Sequence, residues 1–225
     1  DGLIGYGESH HGRSPGAVAS IINNTISHLI MGMDASNVVG IWSTVYKMHF
    51  ASHGLGAATS IAMSGVDQAL WDIRGKAVGW PLYRLLGGTL RPIEAYAGGV
   101  CLGYQPPNSL VDEAQSLIDT GYKSIKIRIG DTPEIDMERI EAVRSRLGDS
   151  ITILTDANTA YSISDVRTIM PFLEYNNIGW LEEPFPPHDY RSYEIAHNFG
   201  SIPLAAGENH YTRFEFNRLI EDRAI

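Results

Sequence analysis

Ile151-Thr-Ile-Leu-Thr-Asp156, Ile178-Gly-Trp-Leu-Glu182 and Ile202-Pro-Leu-Ala-Ala-Gly-Glu208 are three apolar runs, each ending on an acidic residue. The acids stand at equal steps of 26, since 182 − 156 and 208 − 182 agree. A polar or Pro-containing turn and then a helical stretch follow each one. A strand, a loop and a helix occupy that length in a parallel α/β architecture. Equal steps therefore place Asp156, Glu182 and Glu208 at the same end of three parallel strands. Acidic residues after strands also solvate turns or cap the next helix. Three in phase converge instead as hard oxygen donors of the kind a divalent ion such as Mg²⁺ takes.

Outward from these runs the alternation continues. The pattern predicts strands over 93–98, 124–129, 151–156, 178–182 and 202–206, and helices over 108–120, 133–147, 162–175, 189–198 and 212–222. Five βα units in succession imply a parallel sheet with right-handed crossovers. The glycine fingerprints of doubly wound nucleotide folds do not follow these strands. The expected class is α/β, a (β/α) TIM-type barrel. A closed barrel needs eight strands and about 250 residues. The barrel within these 225 residues is therefore expected to be incomplete, with the remaining strands beyond Ile225.

The first 90 or so residues read differently. The opening, Asp1-Gly-Leu-Ile-Gly-Tyr-Gly-Glu8, resembles the middle of a hairpin, and an N-terminal piece is expected before it. Ser14-Pro15 is a helix start, and Val18, Ile21, Ile22, Ile26, Leu29 and Ile30 keep helical periodicity. Further helices are expected over about 37–50, 57–77 and from Pro81 to the Gly87-Gly88 stop. The domains expected are a mainly helical α+β unit over 1–91 and the first five βα units over 92–225.

Composition bounds the partners. The chain is 44% hydrophobic and 19% charged, which suits a globular protein with a sizeable core. A net charge of −9 argues against nucleic acid as a partner but not against a small anion in a locally basic pocket. Cys101 is the only cysteine, so no internal disulfide can form, and a cytoplasmic location is expected. No run reaches membrane-spanning length, so no membrane partner is expected.

In Ser124-Ile-Lys-Ile-Arg-Ile129 two cations alternate with three isoleucines. Period-two geometry puts Lys126 and Arg128 on one face and the isoleucines on the other. In a barrel the cationic face is the interior. Charges there are costly unless an anion or a carboxylate cluster compensates them. An edge strand with solvated charges is the competing reading.

Ala69-Leu-Trp-Asp-Ile-Arg-Gly-Lys76 and Pro81-Leu-Tyr-Arg-Leu-Leu-Gly-Gly88 resemble the last capping-domain helices of the mandelate racemase/muconate lactonizing branch of the enolase superfamily. Thr155-Asp-Ala-Asn158, Leu181-Glu-Glu-Pro184 and Gly207-Glu-Asn209 resemble its three metal-ligand motifs in order, and Lys126-Ile-Arg128 stands where the family carries Lys-x-Lys. The family pairs a Lys or His base with Mg²⁺. The resemblance implies Mg²⁺ held by Asp156, Glu182 and Glu208, Asn158 near the substrate, and Glu183 as a supporting residue. It implies abstraction of the proton α to a substrate carboxylate through an enediolate, Lys126 and Arg128 being the catalytic pair.

Arg128 departs from the pattern. Lysine can be driven neutral by burial and neighbouring cations, whereas arginine effectively cannot. It is a poor base and a good carboxylate clamp. A racemase needs a base on each face, so the substitution favours a one-base reaction such as dehydration of an acid sugar or small hydroxy acid. The resemblance implies that the opposite base is a His on the seventh strand, paired with an Asp on the sixth. A racemase, epimerase or cycloisomerase is the alternative, as is a silent relative that binds metal or acid without turnover. His210 is expected to wall the pocket and bind substrate. His10 and His11 fit a solvated loop or one reaching the substrate. The partner expected is a small carboxylate, with assembly as a homo-oligomer.

Overall fold

The computed structural model describes residues 2–10, 12, 14–54, 56–99, 102–223 and 225; His11 and Cys101 lie outside them. The chain divides into two compact units, Asp1–Pro92 and Ile93–Ile225.

The first unit is helical. Helix α1 (Pro15–Ile21) passes through a π-helical turn at Ile22–Ile26 into α2 (Ser27–Ile30). Helix α3 (Val38–Val45), capped by the Asn37 side chain on Gly40 N, passes through a second π turn at Tyr46–Phe50 into α4 (Ala51–His53). Helix α5 (Ala57–Val78) ends where Gly79 turns left-handed at φ 67°, and α6 (Leu82–Leu85) follows. Val38, Ile41 and Leu70 form a small core.

The opening shows no strand over residues 2–9. It lies along α5 instead. A Cβ on Gly5 would stand 2.0 Å from Ala69 O, and one on Gly7 1.9 Å from Gly65 O, so glycine is what lets the two backbones meet. The polar groups a strand partner would have taken go to side chains one helical turn apart. Gln68 accepts from Glu8 N at 3.3 Å, Asp72 accepts from Tyr6 N at 2.8 Å, and Lys76 donates to Ile4 O at 2.8 Å.

The second unit alternates β1 (Ala97–Gly98), α7 (Pro107–Asp119), β2 (Ser124–Arg128), α8 (Pro133–Leu147), β3 (Thr152–Asp156), α9 (Ile163–Tyr175), β4 (Ile178–Glu182), α10 (Tyr190–Ala196), β5 (Leu204–Ala205) and α11 (Thr212–Glu221). The sheet order is β1-β2-β3-β4-β5, and every pair is parallel. A doubly wound sheet reverses its order part-way; this one does not. It is an incomplete TIM-type barrel. Strands β1 and β5 are shorter than the sequence suggests; among the described residues each pairs with one neighbour, and Pro203 has no N–H to give.

Ile125, Ile127 and Ile129 are fully buried in a core shared with Leu110, Ile140, Val143 and Ile169. Each buried isoleucine contributes about 1.5–3 kcal/mol. Helix starts agree with this packing. Thr132 caps α8 ahead of Pro133, and Ser162 with Asp165 forms a reciprocal capping box on α9. Among the described residues no helix is long and apolar enough to cross a membrane.

Candidate active site

Strand register builds the site. Arg128 pairs in register with Asp156, Asp156 with Glu182, and Glu182 with Ala205. Arg128, Asp156 and Glu182 thus form one row across the C-terminal ends of β2, β3 and β4, the end at which barrel enzymes place their chemistry. Glu208 lies three residues past Ala205, in the loop after β5.

Lys126 Nζ lies 2.7 Å from Glu182 Oε2 and 3.1 Å from Asp156 Oδ2, and Arg128 Nη1 lies 2.6 Å from the same Asp156 oxygen. Asp156 is fully buried. Burial pulls Lys126 downward, but the Glu182 and Asp156 carboxylates outweigh it and hold the ammonium above the ordinary lysine range. The cationic face is therefore internal and compensated, not a solvated edge. Beneath Lys126 the Tyr96 ring lies 5.5 Å from Nζ and meets Trp180 edge-on at 5.8 Å. Neither aromatic belongs to the site expected from sequence. Their place in the strand alternation, on the face of Lys126 and Glu182, is the signal that could have found them.

The loops that follow are strained. Asn158 (φ 43°), Thr159 (φ 69°) and Glu183 (φ 40°) all adopt left-handed backbone. Such positions cost about 1–3 kcal/mol each and persist where surrounding bonds fix them. Asn158 N donates to Asp156 Oδ1 at 2.9 Å, and Asn158 Nδ2 donates to Glu208 Oε1 at 3.1 Å, so this side chain joins two of the three acids. Glu183 is buried and accepts from Asn209 Nδ2 at 2.7 Å and Asn209 N at 3.3 Å. Burial pushes its carboxyl up, the Asn209 side chain pulls back, and the Glu208 charge raises it again. Asn209 thus emerges as the residue that ties the β5 loop to the β4 loop.

Not every expected site residue faces this row. His210 is 4% exposed; its Nε2 lies 2.9 Å from Pro187 O, and its ring packs on Tyr190 and Phe216. Burial lowers its basicity. Its contacts hold loop to helix and do not reach the acids, because Tyr190 and Phe216 offer an apolar seat that the sequence could not reveal. The three acids are also not gathered on a single point: among the described residues no three acidic, imidazole or thiolate groups form a complete metal cage. Like charges repel, and Lys126, Arg128 and Asn158 draw the carboxylates toward themselves.

The family described as "Mandelate racemase / muconate lactonizing enzyme, N-terminal domain" matches residues 1–87, and "Enolase C-terminal domain-like" matches residues 109–225. The chain belongs to this branch of the enolase superfamily. An arabinonate dehydratase of Saccharolobus solfataricus is 35% identical over 100% of this chain and 61% of its own length. A solved enolase-superfamily member from Polaromonas sp. JS666 superposes with a TM-score of 0.96 at 54% identity, over 100% of this chain and 60% of that one. A racemase from Streptomyces coelicolor A3(2), solved with bound magnesium, gives 0.86 at 31% identity over 93% of this chain and 58% of its own. Dehydratases, cycloisomerases and a racemase all occur among the relatives. The chain spans about 60% of the length of the first relatives it matches.

The chemistry of these donors fits a divalent ion, although the three acids do not converge among the described residues. Asp156 Oδ2 is buried and has charge contacts but no hydrogen bond of good geometry, so it remains an acceptor without a directed donor. Glu182 Oε2 shares Lys126 with it, and Glu208 is linked by Asn158. An all-carboxylate donor set suits Mg²⁺ in preference to softer metals.

Proposed function

We propose that this protein removes the proton α to the carboxylate of an acid sugar or small hydroxy acid and eliminates water, Asp156, Glu182 and Glu208 holding Mg²⁺. The observation that carries this reading is Arg128 seated 2.6 Å from Asp156 on the interior face beside Lys126. An α-proton is a very weak acid, so most of the barrier is negative charge growing on the substrate carboxylate. A divalent ion held by the three acids would neutralise that charge. Lys126 supplies a fixed positive charge alongside, kept protonated by its two carboxylate neighbours. Arg128 presents a permanently charged, bidentate group to a carboxylate and does not take protons. One working base then suffices: it takes the α-proton and passes it to the β-hydroxyl as the β C–O bond breaks, so the hydroxyl leaves as water, and the enol tautomerises to a keto acid.

The test incubates full-length protein and Mg²⁺ in D₂O with a panel of sugar acids and hydroxy acids. A keto acid formed with loss of water supports dehydration. A second reading, isomerisation without water loss, is favoured by the cycloisomerase and racemase relatives. Deuterium incorporation with inversion and no keto acid would establish that one instead. Arg128→Lys is expected to keep metal binding and to gain exchange on its face. No gain would leave Arg128 as a clamp and nothing more.

A further inference from the structure

A buried polar cluster beneath the loops plays no part in the chemistry above. Asp136, in the first turn of α8, is fully buried. Its Oδ2 accepts from Gly130 N at 2.9 Å and from the Tyr161 hydroxyl at 2.7 Å, and its Oδ1 accepts from Arg139 Nη1 at 3.2 Å. Arg139 in turn donates to the carbonyls of Tyr104 and Gln105, each at 3.2 Å. The loops after β2 and β3 thus meet on one carboxylate, and the loop after β1 joins them through Arg139. A buried ion pair is seldom more stabilising than apolar packing of the same volume. Stability alone gives little reason to sink a charge here, whereas directed bonds from the Asp136–Arg139 pair to three loops give a geometric one.

The loop after β3 supplies an independent reason. Asn158 and Thr159 are consecutive left-handed residues, and Thr is β-branched, so the segment keeps this shape only when surrounding bonds hold it; Thr159 N donates to Glu183 O at 2.6 Å in its middle. Asp156 fixes the near end through Asn158 N. Tyr161 fixes the far end, with its N–H on Pro184 O at 3.0 Å and its hydroxyl on Asp136. We propose that Asp136 and Tyr161 are positioning residues whose bond locks residues 157–161 and so sets Asn158 against Asp156 and Glu208. Arg139 extends the same restraint to the loop after β1. The inference rests on the reading of Asp156 and Asn158 as site residues.

Two variants of the full-length protein test it, Tyr161→Phe and Asp136→Asn, each followed by amide hydrogen exchange and by Mn²⁺ titration. Loss of the hydroxyl bond should speed exchange at Asn158 and Thr159 about tenfold while β3 and α9 stay protected. Mn²⁺ affinity should fall by about tenfold in parallel, as when an outer support of a metal ligand is removed. Unchanged exchange in the loop, or a rise shared equally by β3 and α9, overturns the proposal and leaves the cluster a general stabiliser. If Asp136→Asn fails to fold, Tyr161→Phe decides alone. Should the wild-type protein take up no Mn²⁺, the proposed metal site fails, while the exchange pattern still decides this inference.

Discussion

In Asp1–Pro92 a Gly-rich segment is held from outside, by Gln68, Asp72 and Lys76 along one face of α5. In Ile93–Ile225 the loops after the strands are held from beneath, by Asp136, Arg139 and Glu183, all buried. Every buried charged side chain among the described residues belongs to the second unit. Exposed polar contacts are individually weak and can be lost singly. Buried charges fail together, because each removed partner strands another. Contacts in the first unit can thus be lost singly, whereas the buried charges of the second hold one geometry.

The sharpest way to break this contrast is Asp156→Asn. It strips Arg128 of its carboxylate and Lys126 of one of two, so a loss of about 3–5 kcal/mol is expected. Urea unfolding measures it, and Mn²⁺ binding should vanish in the same protein. Retained Mn²⁺ affinity would remove Asp156 from the ligand set. In the first unit, Gly7→Ala forces a Cβ to within 1.9 Å of Gly65 O. About 1–3 kcal/mol of overpacking strain is expected, read by thermal melting, with Mn²⁺ affinity unchanged.

Tyr161 gives a pH-dependent contrast. Burial, and then the charge of Asp136, hold its hydroxyl proton far above the ordinary tyrosine range. A proton bound more tightly in the fold contributes fully below the unfolded value near ~10 and is lost as pH rises above it. The wild-type protein should therefore lose stability above that pH more steeply than Tyr161→Phe, by roughly 1.4 kcal/mol per pH unit. Equal slopes in chemical unfolding would show that Tyr161 ionises freely. Smallest of all, Lys76→Met removes exposed contacts to Ile4 O and Asp72 and should cost under about 1 kcal/mol. A larger loss would mean that the outer clamp is cooperative after all.

Much of the second unit is legible in the sequence. The isoleucines of 124–129 alternate with Lys126 and Arg128, and the fold buries the former and pairs the latter with carboxylates, as period two requires. The helix over 133–147 matches α8 because Thr132-Pro133 and Gly148 mark its ends locally. Strands β1 and β5 come out shorter than their apolar runs. The alternating glycines of the opening suggest extended chain, and they also let it meet the helix α5, 60 to 72 residues away, a contact the local sequence does not show. His210 stands two positions from Glu208 along the chain, which suggests a shared pocket, and the packing of Tyr190 and Phe216 turns it elsewhere.

The sequence by itself determined the succession of the strands and the common end of Asp156, Glu182 and Glu208, because these depend on period and spacing along the chain, and its motifs carried the resemblance to the family. Only the tertiary structure decided that Asp156 is shared by two cations, that Asn158 bridges to Glu208, and that Asp136 meets Tyr161. Those contacts join residues 25 to 50 positions apart through angle and burial, and no local pattern encodes them.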